Sequence, residues 1–180
     1  TGERVEGLKG EEPAVFLHGF TRSGRFWKPL IARLAPRRCI TVDLMGHGDS
    51  PLPDEGRHAE AYTLAFSADR LEELFSRLEL RRLHLVGYSM GGRTAMAYAV
   101  RYPERLASLA LISANPGIEN DDDRSARRKQ DDVQASHLRE AGIERFSREW
   151  SEQPMFAGQE FRNPAAWRHA VDDRILQRST

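Results

Sequence analysis

The sequence predicts an α/β fold in which a parallel sheet is flanked by helices and is followed by a helical cap segment. Two observations carry this prediction. Short apolar runs alternate with patterns of helical period over the first two thirds of the chain, and this alternation stops after Pro116. We therefore expect an α/β core over residues 1–116 and a helical segment over residues 117–180.

Four apolar runs are the predicted strands, at residues 14–20, 38–44, 83–89 and 106–114. Runs of this kind, bounded by turn residues, are typical of strands buried on both faces of a parallel sheet. Apolar residues at spacings of three, four and seven predict two helices, one with a stripe from Phe26 to Leu34 and one with a stripe from Leu71 to Leu78. Residues 119–180 are rich in charge with weak helical periodicity, so short helices are expected there.

Composition excludes several classes of function. The 27 basic and 27 acidic residues cancel, so no global field recruits nucleic acid or an anionic membrane. No apolar run has the length of a membrane helix and the N-terminus lacks a signal-peptide core, so we expect a cytoplasmic protein without a membrane or nucleic-acid partner. The single cysteine, Cys39, is predicted to be a buried thiol. No metal or cofactor is implied, and the sequence does not fix an oligomeric state.

The stretch GYSMG, residues 87–91, follows an apolar run and precedes a helical pattern. A serine between glycines in this context is typical of a sharp strand-to-helix turn that exposes a catalytic hydroxyl. The alternative is a glycine-rich turn in which Ser89 only caps the next helix. We favour the catalytic turn because a second motif agrees with it.

That second motif is LHGF, residues 17–20, at the end of the first strand. With a catalytic serine at residue 89, the backbone N–H groups of Phe20 and Met90 are the predicted oxyanion donors. We expect His18 to hold this loop in shape. Asp43 and His47, in VDLMGHGDS, are predicted to shape a second loop, because the acid of such a catalytic triad follows the serine in sequence.

Arg93 lies one helical turn after Ser89, so both residues fall on the same side of the predicted helix. A buried arginine needs a counter-charge. Either a protein carboxylate or a carboxylate of the substrate supplies it, and the residues alone leave both possibilities open.

LHGF, DLMGHGDS and GYSMGG together resemble the α/β-hydrolase superfamily over residues 12–116. The stretches NPGIENDDDRSARRKQDD and REWSEQPMFAGQ, with GYSMGGRTAMAYA, resemble the 2-succinyl-6-hydroxy-2,4-cyclohexadiene-1-carboxylate synthases of menaquinone biosynthesis. That resemblance implies a lyase that removes pyruvate from 2-succinyl-5-enolpyruvyl-6-hydroxy-3-cyclohexene-1-carboxylate, with Ser89 as the base, activated by a histidine and an aspartate. It also implies that a small polycarboxylate substrate is bound by several side chains, namely Tyr88, Arg93, Arg127, Trp150 and Arg178.

The chain departs from this pattern because no predicted strand follows residue 114 to carry the aspartate and histidine of the triad. We therefore expect a C-terminally truncated α/β-hydrolase fold that lacks its last strands. Such a piece should be nearly inactive alone and should present an apolar sheet edge that favours aggregation. Two other functions stay open: a carboxylesterase with the same serine turn, and a catalytically inactive binding module.

Overall fold

The computed structural model describes residues 12–52 and 58–158, without the side chains of His58 and Ala59. The chain divides into two compact units, Thr1–Asn115 and Pro116–Thr180. In the first unit, strands and helices alternate in the order β1 (Ala14–Leu17), a 3₁₀ helix (Gly24–Trp27), α1 (Lys28–Leu34), β2 (Cys39–Val42), α2 (His58–Ala61), α3 (Leu64–Arg77), β3 (Leu83–Tyr88), α4 (Met90–Arg101), a 3₁₀ helix (Pro103–Arg105) and β4 (Leu106–Ile112).

The four strands form one parallel sheet in the order β2-β1-β3-β4. All four predicted strands are confirmed, each within its predicted range. β1 is central, and its last residue, Leu17, pairs with Val42 on one side and Gly87 on the other. The loops that leave the carboxyl ends of β1, β2 and β3 therefore start side by side, which is where parallel sheets build their sites.

Alternate residues of β1, β2 and β3 enter two separate apolar cores. Val15 and Leu17 of β1 pack on one face of the sheet with Leu71 and Phe75 of α3 and Tyr98 of α4, among others. The opposite face holds a smaller core of four buried residues: Ala14, Phe16, Trp27 and Cys39. Cys39 is buried, as predicted, while Leu30 of the predicted Phe26–Leu34 stripe is exposed because α1 covers the smaller core with only part of that stripe.

A polar network ties α3 to α4 beside the larger core. The Tyr98 hydroxyl donates to Glu72 Oε2 at 2.6 Å, and Arg105 Nε donates to the same oxygen at 3.0 Å. Burial and the neighbouring Glu72 carboxylate raise the pKa of Tyr98, since both disfavour the phenolate. The phenol therefore stays protonated and keeps the two helices in register.

The expectation that every strand is buried on both faces is wrong for β4. Residues from Ser108 to Ile112 are exposed, and within the described residues β4 pairs with β3 alone. A strand at the edge of a sheet has a neighbour on one side only, so its apolar side chains and its backbone groups keep access to solvent.

The second unit contains α5, which spans Asp121–Ser151, and a 3₁₀ helix at Pro154–Phe156. Asn120 starts α5 as a side-chain cap, since its Oδ1 accepts from the N–H groups of Asp122 and Asp123. Gly142 has non-helical backbone angles and divides α5 into two helical segments, 121–141 and 143–151, so the first of the predicted helices is longer than expected and the second is short. Over the described part of the chain, no helix combines the length and the apolarity needed to cross a bilayer.

The exposed apolar edge makes a prediction about the 180-residue chain. Leu111 on β4 is 42% exposed, and Leu111→Lys should reduce aggregation because a charge on an edge strand opposes pairing with another chain. Val100→Lys on α4, where the side chain is 83% exposed and no edge is present, is the control. Light scattering on heating measures the difference, and equal aggregation of the two variants would contradict an edge effect.

Candidate functional site

Ser89 occupies a strained turn between β3 and α4. Its φ is 52° and its ψ is −113°, a conformation that costs a non-glycine residue on the order of 1–3 kcal/mol. The half-buried hydroxyl makes no capping hydrogen bond to α4, so the interpretation of Ser89 as a simple helix cap is wrong. Within the described residues no side chain bonds to this hydroxyl, which leaves it available for chemistry.

The first turn of α4 packs directly on the carboxyl end of β1. A Cβ atom at Gly91 would lie 2.5 Å from the carbonyl oxygens of Leu17 and His18, so only glycine fits between the helix and the strand. Met90, the first residue of α4, precedes this contact, and Phe20 lies two residues after His18. The two predicted oxyanion donors therefore belong to segments in contact, and the first N–H groups of any helix lack an intrahelical acceptor.

His18 is completely buried and bonds through both ring nitrogens. Its Nδ1 donates to the Gly19 carbonyl oxygen at 2.8 Å, and its Nε2 accepts from the Leu44 N–H at 3.0 Å. Burial, reinforced by nearby His47, lowers the pKa of His18 to about 4. The predicted role is confirmed: a neutral His18 holds the LHGF loop to the loop after β2.

Asp43 organises the loop after β2, as the sequence predicted. Its Oδ1 accepts from the Gly24 N–H at 2.6 Å, and its Oδ2 accepts from the Asp49 N–H at 3.0 Å. His47 packs at 5.2 Å from the ring of His18, and burial lowers its pKa. These groups shape the strand-end loops and are bound to backbone rather than to Ser89.

Arg93 is half-buried, and no carboxylate among the described residues pairs with its guanidinium. The internal counter-charge that the sequence left open is thus absent from residues 12–52 and 58–158. The Arg93 N–H donates to the Ser89 carbonyl oxygen at 3.1 Å, which fixes the arginine one turn above the serine.

Tyr88 stacks on Phe26, with ring centroids 5.3 Å apart and planes 20° apart. Arg22 is buried, and its guanidinium lies over the ring of Phe26, 5.3 Å from the ring centroid. Sequence reasoning missed Arg22 and Phe26 as partners of this turn. Nothing in the polar loop TRSGR marks its first arginine as buried, although Phe26 four residues later is a weak signal of a cation–π pair.

The remaining predicted substrate contacts fall in the second unit. Arg127 is exposed on α5, and its Nε donates to Asp131 at 2.8 Å. Trp150 is half-buried and stacks on Phe146, with centroids 5.7 Å apart. Arg178 lies outside the described residues, and among those residues no cluster of side chains suitable for a metal is found.

The family model described as alpha/beta hydrolase fold matches residues 13–179. Together with the parallel sheet and the strained serine turn, this match shows that the chain belongs to the alpha/beta hydrolase fold family.

Within that family, several of the proteins to which the chain is similar are named 2-succinyl-6-hydroxy-2,4-cyclohexadiene-1-carboxylate synthase. A Bacillus subtilis (strain 168) protein, provisionally named 2-succinyl-6-hydroxy-2,4-cyclohexadiene-1-carboxylate synthase, is 37% identical over 86% of this chain and 56% of its own length. The synthase of Salmonella paratyphi C is 32% identical over 86% of this chain and 59% of its own length. The solved structure of MenH from S. aureus is 29% identical, with a TM-score of 0.88 over 98% of this chain and 65% of that one. The chain thus spans less than two thirds of the length of these relatives.

The close contact at Gly91 predicts that alanine destabilises the protein at this position but not at a glycine with open space around it. Alanine favours a helix over glycine by about 1 kcal/mol, but two backbone oxygens 2.5 Å from the new Cβ cannot move aside, and overpacking costs about 1–3 kcal/mol. Gly91→Ala should therefore destabilise the first unit. Gly117→Ala, where no atom lies within 4 Å, is the control and should change the free energy of unfolding little. Urea denaturation measures both, and a neutral Gly91→Ala would refute the close approach.

The lowered pKa of His18 predicts that the protein loses stability in acid. Its pKa of about 4 in the folded state lies below the ordinary value of 6.5, so the unfolded chain binds the proton first as the pH falls. Stability is full above pH 6.5 and is lost progressively toward pH 4, and the loss between pH 8 and pH 5 is about 2 kcal/mol. Urea denaturation at both pH values should show the full loss in the unmodified chain and in His84→Gln, and a smaller loss in His18→Gln, in which buried His47 still contributes. An equal loss in all three proteins would contradict the assignment.

Proposed function

We propose that this chain carries the core of a carbon–oxygen lyase that removes pyruvate from 2-succinyl-5-enolpyruvyl-6-hydroxy-3-cyclohexene-1-carboxylate. The observation that carries the proposal is the pairing of a strained, unbonded Ser89 hydroxyl with Arg93, a half-buried cation one turn away that has no carboxylate partner among the described residues. The names of the relatives support the same reaction.

Ser89 acts as the base in this proposal. It takes a proton from the ring, the electron pair forms a second ring double bond, and the ring carbon–oxygen bond breaks. The enolpyruvyl group leaves as the enolate of pyruvate and then takes up a proton. No acyl-enzyme forms, so Ser89 transfers a proton and does not attack the substrate as a nucleophile. The turn shares only its geometry with the nucleophile elbow of hydrolases.

The backbone N–H groups of Phe20 and Met90 stabilise the negative charge that develops on oxygen during this elimination. Preorganised donors of this kind lower a barrier by about 3 kcal/mol each. Their positions depend on the contact between Gly91 and the end of β1.

Arginines suit this substrate because it carries several carboxylates. Arg93 binds one of them through its planar fork, which matches a carboxylate in a bidentate pair. We also propose that Tyr88, Arg127, Trp150 and Arg178 contact the substrate in the complete protein, in which the second unit serves as a cap. Arg127 must then exchange its present partner, Asp131, for the substrate.

An unassisted serine hydroxyl is a weak base at neutral pH, so Ser89 needs a histidine and an acid. His18 cannot serve, because both of its ring nitrogens are already bonded to backbone. We propose that the aspartate and the histidine are encoded after residue 180. Translation of the reading frame beyond this point tests that statement directly.

The experiment compares variants of the protein encoded by the complete reading frame. Ser89→Ala should lower kcat at least about 10³-fold while substrate still binds. Arg93→Ala should lower kcat/KM about 10- to 100-fold, since a charge-assisted pair contributes about 1.5–3 kcal/mol. The kcat/KM of Arg93→Lys should lie between those of Arg93→Ala and the unmodified protein, because lysine keeps the charge but lacks the planar guanidinium fork. Release of pyruvate from the cyclohexene substrate is the measurement.

Arg101→Ala is the matched control, because Arg101 lies at the far end of α4 and pairs with Asp69. Its kinetics should equal those of the unmodified protein. Absence of pyruvate release together with Arg93-independent hydrolysis of a neutral ester would overturn the lyase proposal in favour of an esterase.

A further inference from the structure

The bend in α5 depends on one residue. Gly142 has a φ of 76°, in the left-handed region that L side chains rarely adopt, so glycine lets the chain kink here without strain. The helical segments 121–141 and 143–151 therefore lie on the two sides of a hinge. An uninterrupted helix would need a different backbone conformation at this position.

An ion pair joins the two segments across this hinge. His137 Nε2 bonds to Glu149 Oε2, although the two residues are twelve positions apart in sequence. In a straight helix, twelve residues span about 18 Å, far beyond the reach of these side chains. The contact is possible only because the helix bends at Gly142, so the pair requires the bend.

Glu149 is held from both sides. Its Oε1 accepts from Arg145 Nε at 2.7 Å, one turn earlier, while Oε2 faces His137. Both partners favour the carboxylate, and they lower the pKa of Glu149, with Arg145 as the larger cause. Because the His137 and Glu149 side chains each keep 39% of their surface exposed, solvent screens the pair, so it adds little to overall stability and its main consequence is geometric.

The same contact adjoins a row of rings that runs from His137 through Phe146 and Trp150 to Phe156. The His137 ring lies 6.2 Å from the ring of buried Phe146, which stacks on Trp150 at 5.7 Å. Trp150 in turn lies 6.5 Å from the ring of Phe156, in the following 3₁₀ helix. Trp150 directly follows Glu149 in sequence, so the ion pair is linked to the indole both through the backbone and through the ring of Phe146.

We infer that the His137–Glu149 pair across the Gly142 bend is a clasp that positions Trp150 for substrate binding. This inference rests on the proposed function, in which Trp150 contacts the substrate. His137 and Glu149 are positioning residues: they act through the indole and do not touch the substrate. Opening the clasp should therefore raise KM and leave kcat nearly unchanged.

A fluorescence experiment on the full-length protein tests the position of Trp150 without any substrate. Each variant is compared with its Trp150→Phe counterpart, so that the difference spectrum isolates residue 150 from the other two tryptophans. In His137→Leu and Glu149→Leu the difference emission should shift to the red and become more accessible to a neutral quencher. His137→Gln, whose amide still donates to the carboxylate, should restore the unmodified spectrum.

Glu144→Leu is the matched control, because Glu144 lies in the same segment, is exposed and carries the same charge as Glu149. Its difference spectrum should not move. Gly142→Ala tests the hinge from the backbone side and should reproduce the shift of His137→Leu, with far-UV circular dichroism confirming that α5 is still helical.

Steady-state kinetics on the lyase substrate complete the test. His137→Leu and Gly142→Ala should raise KM about fivefold or more, with kcat within about twofold of the unmodified protein. An unchanged Trp150 spectrum, or an unchanged KM despite a shifted spectrum, overturns the clasp. If the unmodified protein releases no pyruvate, the proposed function fails, whereas the fluorescence result still decides whether the pair positions the indole.

Discussion

The close approach of α4 to the carboxyl end of β1 is the constraint on which the rest of the site depends. β3 lies beside β1 in parallel register, and the first turn of the helix that follows β3 packs against the end of β1. Gly91 permits that contact, and the chain between β3 and α4 must then turn sharply at Ser89, at the expense of a positive φ. The strain is tolerated because sheet pairing and helix packing fix both ends of the turn.

Buried polar groups set the loops around this turn. His18 and Asp43 satisfy backbone N–H and carbonyl groups that would otherwise be buried without partners. Because these bonds occupy both ring nitrogens of His18, the residue is a scaffold rather than a base. The sequence contains the ingredients of acid–base chemistry near Ser89, but in the described residues they are committed to holding the strand ends in place.

Arginines among the described residues differ in whether a carboxylate lies beside them. On α5, Arg127 pairs with Asp131 and Arg145 with Glu149, so local pairing neutralises these two. Arg93 has no carboxylate partner among the described residues, although it is less exposed than Arg127. A half-buried cation without a protein counter-charge has a cost in desolvation free energy. A carboxylate ligand that neutralises the cation offsets this cost, which strengthens binding. This contrast is why the proposed recognition of a polycarboxylate rests on Arg93 first.

The sequence by itself determined the four strands, the helical periods and the serine turn, because these follow from local periodicity and from glycines at fixed spacing. It also determined the buried state of Cys39 and the structural role of His18. Only the tertiary structure decided that β4 is exposed at an edge, that Arg22 and Phe26 support Tyr88, and that α5 bends so that His137 meets Glu149. These features depend on contacts between residues distant in sequence or on a single backbone angle, and neither leaves a periodic signal in the chain.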